Sequence, residues 1–295
     1  MNDPDPLSRA KLASIFHPSD FSEASDIAFA HALRIALVTG ARLDLLHVAP
    51  SDASDWLDFP AVRATLERWR LLPNGSSAGD LAQLGIDVNK VVVPSQDPVA
   101  ASLGFLETHP ADLIVLAVHQ YQGRTRWMKQ RVGEPIARGA GEMTLFVPHG
   151  TRGFVAQADG TVSLRNVLIP IAPQPRAEPA MEAAALMVRS LGIEAGTFCL
   201  LYAGHAAEAP VVAGRCAAGW AVTRLAREGN PAEVIVNTAE TIGADLIVMA
   251  TEGRHGFLDA LRGSTSEQVL RRTPCPVLCL PSDQWLSRMR RFWIN

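Results

Sequence analysis

Apolar residues along this chain come in short dense runs, and the runs alternate with longer stretches where apolar positions recur three and four apart. Runs of the first kind predict strands buried on both faces; stretches of the second kind predict amphipathic helices. Strands are expected at 12–18, 42–48, 88–93, 113–117 and 144–147. A helix follows Ser22, which with Ser25 and Asp26 nearby can cap it, and runs to about Val38 before Gly40. Trp56, Leu57, Phe59, Val62, Leu66 and Trp69 share one face of a helix over 55–72, a packing face. A loop with Pro73, Gly75 and Gly79 comes next, and further helices are expected at 98–109 and 134–140. Strands alternating with helices at this spacing imply a parallel, doubly wound sheet.

The pattern then repeats. Ala111-Asp112-Leu113-Ile114-Val115-Leu116-Ala117 recurs as Ala244-Asp245-Leu246-Ile247-Val248-Met249-Ala250. Leu145-Phe146-Val147-Pro148 recurs at the same offset as Leu278-Cys279-Leu280-Pro281, and Pro18 corresponds to Pro170. The second half predicts strands at 166–170, 198–203, 221–225, 246–249 and 277–280, with helices at 179–190, 231–242 and 264–272. Its 205–219 stretch is poorly patterned and shorter than its counterpart. The expected architecture is a tandem of two Rossmann-like α/β modules, residues 1–150 and 163–284, each a five-stranded parallel sheet flanked by helices. A polar linker at about 150–162 joins them, and 285–295 form a tail.

The stretch from Ala244 to Pro281 carries the candidate chemistry. A strand leads into a loop with Gly253, Gly256 and Gly263, and Ser264 with Glu267 has the spacing of a capping box that starts a helix. Free backbone N–H groups and the helix dipole then point at one place, which makes an anion site. The loop resembles the universal stress protein family in its nucleotide-binding form, whose loop reads G-x2-G-x9-G-(S/T) after the fourth strand. Here nine residues separate Gly253 from Gly263-Ser264, while Ala250 stands at the first glycine, so three of the four fixed positions match. Phe16-His17-Pro18-Ser19-Asp20-Phe21-Ser22 likewise resembles the end of the family's first strand.

The resemblance covers nearly the whole chain and implies an adenine nucleotide alpha-hydrolase-like fold with strand order 3-2-1-4-5. In such a sheet the ligand sits outside the carboxyl ends of the strands, at the switch point between the first and fourth. It also implies ATP, with Mg2+, held in the second module by Pro170, Ile171, Met249, Ala250, Gly253, Arg254, Gly263, Ser264 and Thr265. The family's base-contacting aspartate is Ala172 in the second module, a change expected to relax base selectivity more than phosphate binding. The first module keeps Asp20 but has Gln120, Gln130 and Arg131 in place of the loop's two glycines and serine. Side chains there block close approach of phosphate, and φ > 0 is costly without glycine. Nucleotide is therefore expected in the second module alone. Family modules pair through their last strands, which implies intramolecular pairing here, with a homodimer as a further assembly; the protein client is open.

Composition sets the outer limits. With 48% hydrophobic and 19% charged residues and a net charge of −3, the chain has no electrostatic footprint for nucleic acid. No apolar run approaches the ~18 residues of a membrane span, and MNDPDPLSR lacks the pattern of a secretory leader, so a cytoplasmic location is expected. Cys199, Cys216, Cys275 and Cys279 lack metal-ligand spacing, and Cys275 and Cys279, which flank a predicted strand, read as free buried thiols. Neither G-x4-G-K-(S/T) nor G-x-G-x-x-G occurs, and no residue identifies itself as a general base. A binding and signalling module is the expected class; a weak ATPase and an interaction protein that binds no nucleotide are the alternatives. His17, His47 and His119 fall at strand ends of the first module and, with Asp20, form a candidate zinc set or the lining of a polar anion pocket. The tail from Trp285 to Ile294 is apolar and basic, which suits packing at a contact.

Overall fold

The dense apolar runs become parallel strands. The computed structural model describes residues 11–49, 61–118, 133–213, 216–251 and 265–282. The chain divides into two compact units, one spanning Leu12–Ser163 and one from Leu164 onward.

The first unit holds β1 (Ser14–Pro18), α1 (Glu23–Thr39), β2 (Arg42–Ala49), α2 (Val62–Arg68), α3 (Ala78–Gln83), β3 (Val88–Pro94), α4 (Pro98–Thr108), β4 (Leu113–Val118), α5 (Gly133–Ala140) and β5 (Thr144–Pro148). Its strand order is β3-β2-β1-β4-β5, with every pair parallel. The second unit holds β6 (Asn166–Ile171), α6 (Glu178–Ser190), β7 (Gly196–Ala203), β8 (Trp220–Arg227), α7 (Pro231–Ile242), β9 (Leu246–Thr251), α8 (Thr265–Arg272) and β10 (Val277–Pro281). Its order, β8-β7-β6-β9-β10, is the same topology, again all parallel. The central strands are unbroken apolar runs because helices cover both faces; Leu113 to Leu116 and Leu246 to Met249 are all buried.

The repeated Ala-Asp pair has a structural task. Asp112 Oδ2 accepts the backbone N–H groups of Ala13 (2.8 Å) and Ser14 (3.0 Å), where β1 begins. Asp245 Oδ2 accepts those of Arg165 (2.8 Å) and Asn166 (2.9 Å), where β6 begins. Each carboxylate thus fixes the start of its unit's first strand against the start of its fourth. The next helices repeat as well: Asp97 and Asn230 cap α4 and α7 with their side chains, each followed by proline in the first turn.

Two stretches differ from expectation. The loop with Gly79 contains α3, which Ser77 and Asp80 hold by a reciprocal capping box. Six residues with a glycine leave no periodicity to read. The expected polar linker is instead a strap folded onto the first unit. Val155 and Val162 form an antiparallel bridge, and Phe154 is wholly buried against the edge of His31 of α1. Trp69 Nε1 donates to Gln157 O at 3.0 Å, and Arg68 Nε donates to the same oxygen. Gly160 has φ +70° with the Trp69 ring over it, and a Cβ added at Gly153 would run into the His31 ring. Both glycines are therefore required for the strap to lie this close.

His17 and His31 are fully buried, and both make their hydrogen bonds as neutral rings. His31 Nδ1 donates to Ile27 O (2.8 Å) and Nε2 accepts from Val155 N–H (3.2 Å). His17 Nδ1 donates to Val115 O at 2.9 Å. Burial lowers each from the ordinary 6.5 to about 4. The unfolded chain binds these protons below 6.5 and the folded unit does not. Their contribution to stability is thus complete above pH 6.5 and is lost as pH falls toward 4, at most about 3 kcal/mol each. Urea midpoints should fall steeply between pH 7 and 4.5, and a His17→Asn, His31→Gln double variant should flatten that slope. An equally steep slope in the double variant would contradict this assignment.

Candidate functional site

In the second unit β6 and β9 pair through Val167–Leu246 and Leu168–Ile247, and no further pair joins them, although the strands run on to Ile171 and Thr251. By contrast β6 pairs with β7 along its whole length. The neighbours part at the point where strand order reverses, and a crevice opens at their carboxyl ends. This is the position at which an open α/β sheet receives a ligand.

The expected site residues gather there in part. Pro170 and Ile171 end β6 and Met249 and Ala250 end β9; Pro170, Ala172 and Ala250 are half-buried, while Ile171 and Met249 are buried. Thr251 closes β9 with its hydroxyl donating to Leu280 O at 3.1 Å, which ties β9 to β10. Thr265 opens α8, half-buried. Gly253, Arg254, Gly263 and Ser264 lie outside the described residues, between β9 and α8. Glu267, buried in the first turn of α8, is ion-paired with Arg271 one turn on, and Arg271 and Arg272 place positive charge at the helix's carboxyl end.

The first unit parts in the same way, β1 and β4 pairing through Ile15–Leu113 and Phe16–Ile114. Its residues there are engaged with one another. Asp20 Oδ1 accepts from the Ser22 hydroxyl (2.6 Å) and backbone N–H (3.1 Å), and Ser22 caps α1 through Ser25 N–H. The Phe21 ring stacks on His47 at 3.9 Å, and His47 Nδ1 donates to Ser19 O. His17 is wholly buried with Ser25 Oγ 3.5 Å from its Nε2, so it serves the core. His119 lies outside the described residues. Among the described residues no three His, Cys, Asp or Glu side chains come together as a metal site. Strand alternation explains His17: it points into the α1 face of the sheet, where only a neutral, hydrogen-bonded ring is tolerated.

Cys275 and Cys279 are free and buried, as expected; Cys199 is also free and buried, and Cys216 is free and exposed. Burial pushes Cys275 and Cys279 each up to about 12, which removes them from nucleophilic or metal chemistry. No helix among the described residues is long and apolar enough to cross a membrane. One residue at the crevice escaped the sequence reading. Tyr202, near the end of β7, pairs in register with Ile171. Aligning Pro170 and Leu201 with Pro18 and Leu46 sets Tyr202 where His47 stands, and that alignment was the available signal.

Two units of identical topology, each parting at its switch point, define a tandem doubly wound α/β protein. A model of the universal stress protein family matches residues 14–148 and 203–281, more than half of the chain, and the chain belongs to that family. The unmatched 149–202 include the strap, β6 and Ala172 just beyond it. Among curated relatives, a universal stress protein of Methanocaldococcus jannaschii is 51% identical over 51 residues, 17% of this chain and 30% of that protein. Universal stress protein E of Escherichia coli K12 is 40% identical over 58 residues, 20% of this chain and 18% of its own. The matches thus span less than a third of these relatives' length. Among solved structures, a universal stress protein of Archaeoglobus fulgidus superposes with TM-score 0.60 at 19% identity, over 92% of this chain and 97% of that one. A putative universal stress protein of Pseudomonas aeruginosa gives TM-score 0.54 at 16% identity, over 98% and 100%. At these identities the likeness is one of fold.

Proposed function

We propose that the second unit binds a nucleotide polyphosphate, with ATP the first candidate, and that the chain acts as a nucleotide-responsive binding module. The observation that carries this is the placement of the one retained glycine stretch. In sequence it follows β9, which ends beside β6 where the two strands part, and it precedes α8. Phosphates belong on that side, at the amino end of the α8 dipole. Mg2+ would enter on the phosphates themselves, keeping most of its waters, as is usual where a cation accompanies a nucleotide.

Mass spectrometry of small molecules released from the purified chain tests the reading most directly, followed by calorimetric titration with ATP and Mg2+. A nucleotide recovered, or binding in the micromolar range, is the expected result. A chain that neither carries nor takes up any nucleotide would overturn it.

A further inference from the structure

We infer that the outer edge of β8 is a docking strand for an extended acidic segment of a partner protein, which joins the second unit's sheet as a further strand. The chain before β8 explains why this edge is open. In the first unit two helices, α2 and α3, come between β2 and β3. Between β7 and β8 the described residues of 204–219 hold only a short 3-10 turn, Ala206–Glu208. β3 is half-buried over most of its length, whereas Ala221 to Arg224, Ala226 and Arg227 of β8 are exposed.

β8 is a regular strand all the same. Each of its residues pairs in register with β7, from Gly196–Trp220 to Ala203–Arg227, and it contains neither proline nor glycine. Gly204 N–H donates to Arg227 O at 3.0 Å, which turns the Arg227 backbone toward β7. Backbone groups alternate in direction along a strand, so Thr223 and Leu225 also face β7 while Val222, Arg224 and Ala226 face away. Among the described residues no hydrogen bond engages the N–H and C=O groups of those three. An unpaired edge of this kind is a template for another strand.

Its charge selects which strand. By alternation Arg224 stands with Val222 and Ala226 on one face, and Arg227 with Thr223 and Leu225 on the other. Both arginines are exposed, and neither is ion-paired among the described residues. The first carboxylate after them, Glu228, lies beyond the strand. A second β8 laid alongside would gather both arginines of each copy with no carboxylate on either strand, and like charges across strands repel. The same arginines give a neutral strand no advantage, so they favour an acidic one. The partner that fits carries two carboxylates three positions apart among β-branched residues, set opposite Arg224 and Arg227.

Fluorescence anisotropy of the full chain with labelled valine–threonine peptides matched in length to β8 tests this. The peptides carry glutamate, glutamine or lysine at two positions three apart. The glutamate peptide should bind about tenfold more tightly than the glutamine peptide, and the lysine peptide should not bind. Arg224→Glu with Arg227→Glu should reverse that preference, so that the lysine peptide binds and the glutamate peptide is lost. Val222→Pro removes an outward N–H and no bond to β7, so it should weaken the glutamate peptide by about tenfold with both arginines in place. Hydrogen exchange should show the amides of Val222, Arg224 and Ala226 protected by the bound peptide. Thermal unfolding checks each variant, and if Val222→Pro does not fold, the charge reversal and the exchange data decide alone. No binding of the glutamate peptide, equal binding of the glutamine peptide, or unchanged preference in the charge-reversed chain overturns the proposal. Binding that leaves the three amides unprotected also overturns it. So does a wild-type dimer that Val222→Pro dissociates, since a second copy would then be the occupant.

Discussion

Gly263→Arg is expected to abolish nucleotide binding, with ATP affinity falling by about a hundredfold or more, the equivalent of ~2.7 kcal/mol. Asp20→Ala in the first unit should leave that affinity unchanged. Gly263 directly precedes Ser264 and the helix that opens at Thr265. Phosphates at a helix start are held chiefly by backbone N–H groups, and a backbone can approach that closely only where no side chain intervenes. The added guanidinium attracts anions, so a purely electrostatic site would bind ATP more tightly in this variant, not less. That opposition of sign makes the variant informative. The first unit supplies a natural precedent, since Gln130 occupies the place of Gly263 and Arg131 that of Ser264 in its own loop. Calorimetry on both variants decides the matter: loss in Asp20→Ala with retention in Gly263→Arg would move the site to the first unit.

Much of this architecture was legible because the chain states it twice. The runs at Leu113 and Leu246 are apolar without alternation, which specifies strands covered on both faces, and their recurrence at one offset specifies two modules. Strand order followed from family resemblance, and both units have it. What the sequence concealed depends on contacts between residues far apart. Phe154 and Val155 are two apolar residues in a polar stretch, too few to signal an element. They are ordered because His31 of α1 receives both while Trp69 holds Gln157 further along the strap, and neither partner could be named in advance. His17 looked like a ligand because strand ends carry function, but alternation turned it inward, where burial and Val115 O fix a neutral ring. Tyr202 looked like a strand residue because its place at the crevice is set by register with β6, and register is not written in either strand alone.

The second strong effect concerns stability, and it separates the frame from the site. Asp245→Ala should lower the unfolding free energy of the second unit by about 2–3 kcal/mol. The carboxylate accepts two backbone N–H groups, of Arg165 and Asn166, and hydrogen bonds to a charged acceptor are worth ~1.5–3 kcal/mol each. The Arg165 bond is exposed, so water replaces part of it and the sum stays below the additive maximum. Asp245→Asn keeps an oxygen in place without the charge and should lose about half as much. Asp112→Ala repeats the experiment in the first unit, where Ala13 and Ser14 depend on the same geometry. Denaturant titration of the full chain checks each. Both aspartates sit at the amino ends of their strands, and the crevice lies at the carboxyl ends. Below the unfolding midpoint, Asp245→Ala should therefore bind ATP with wild-type affinity. A variant that loses binding while still folded would mean that the start of β6 sets the geometry of its far end, and that the clamp and the site are one device.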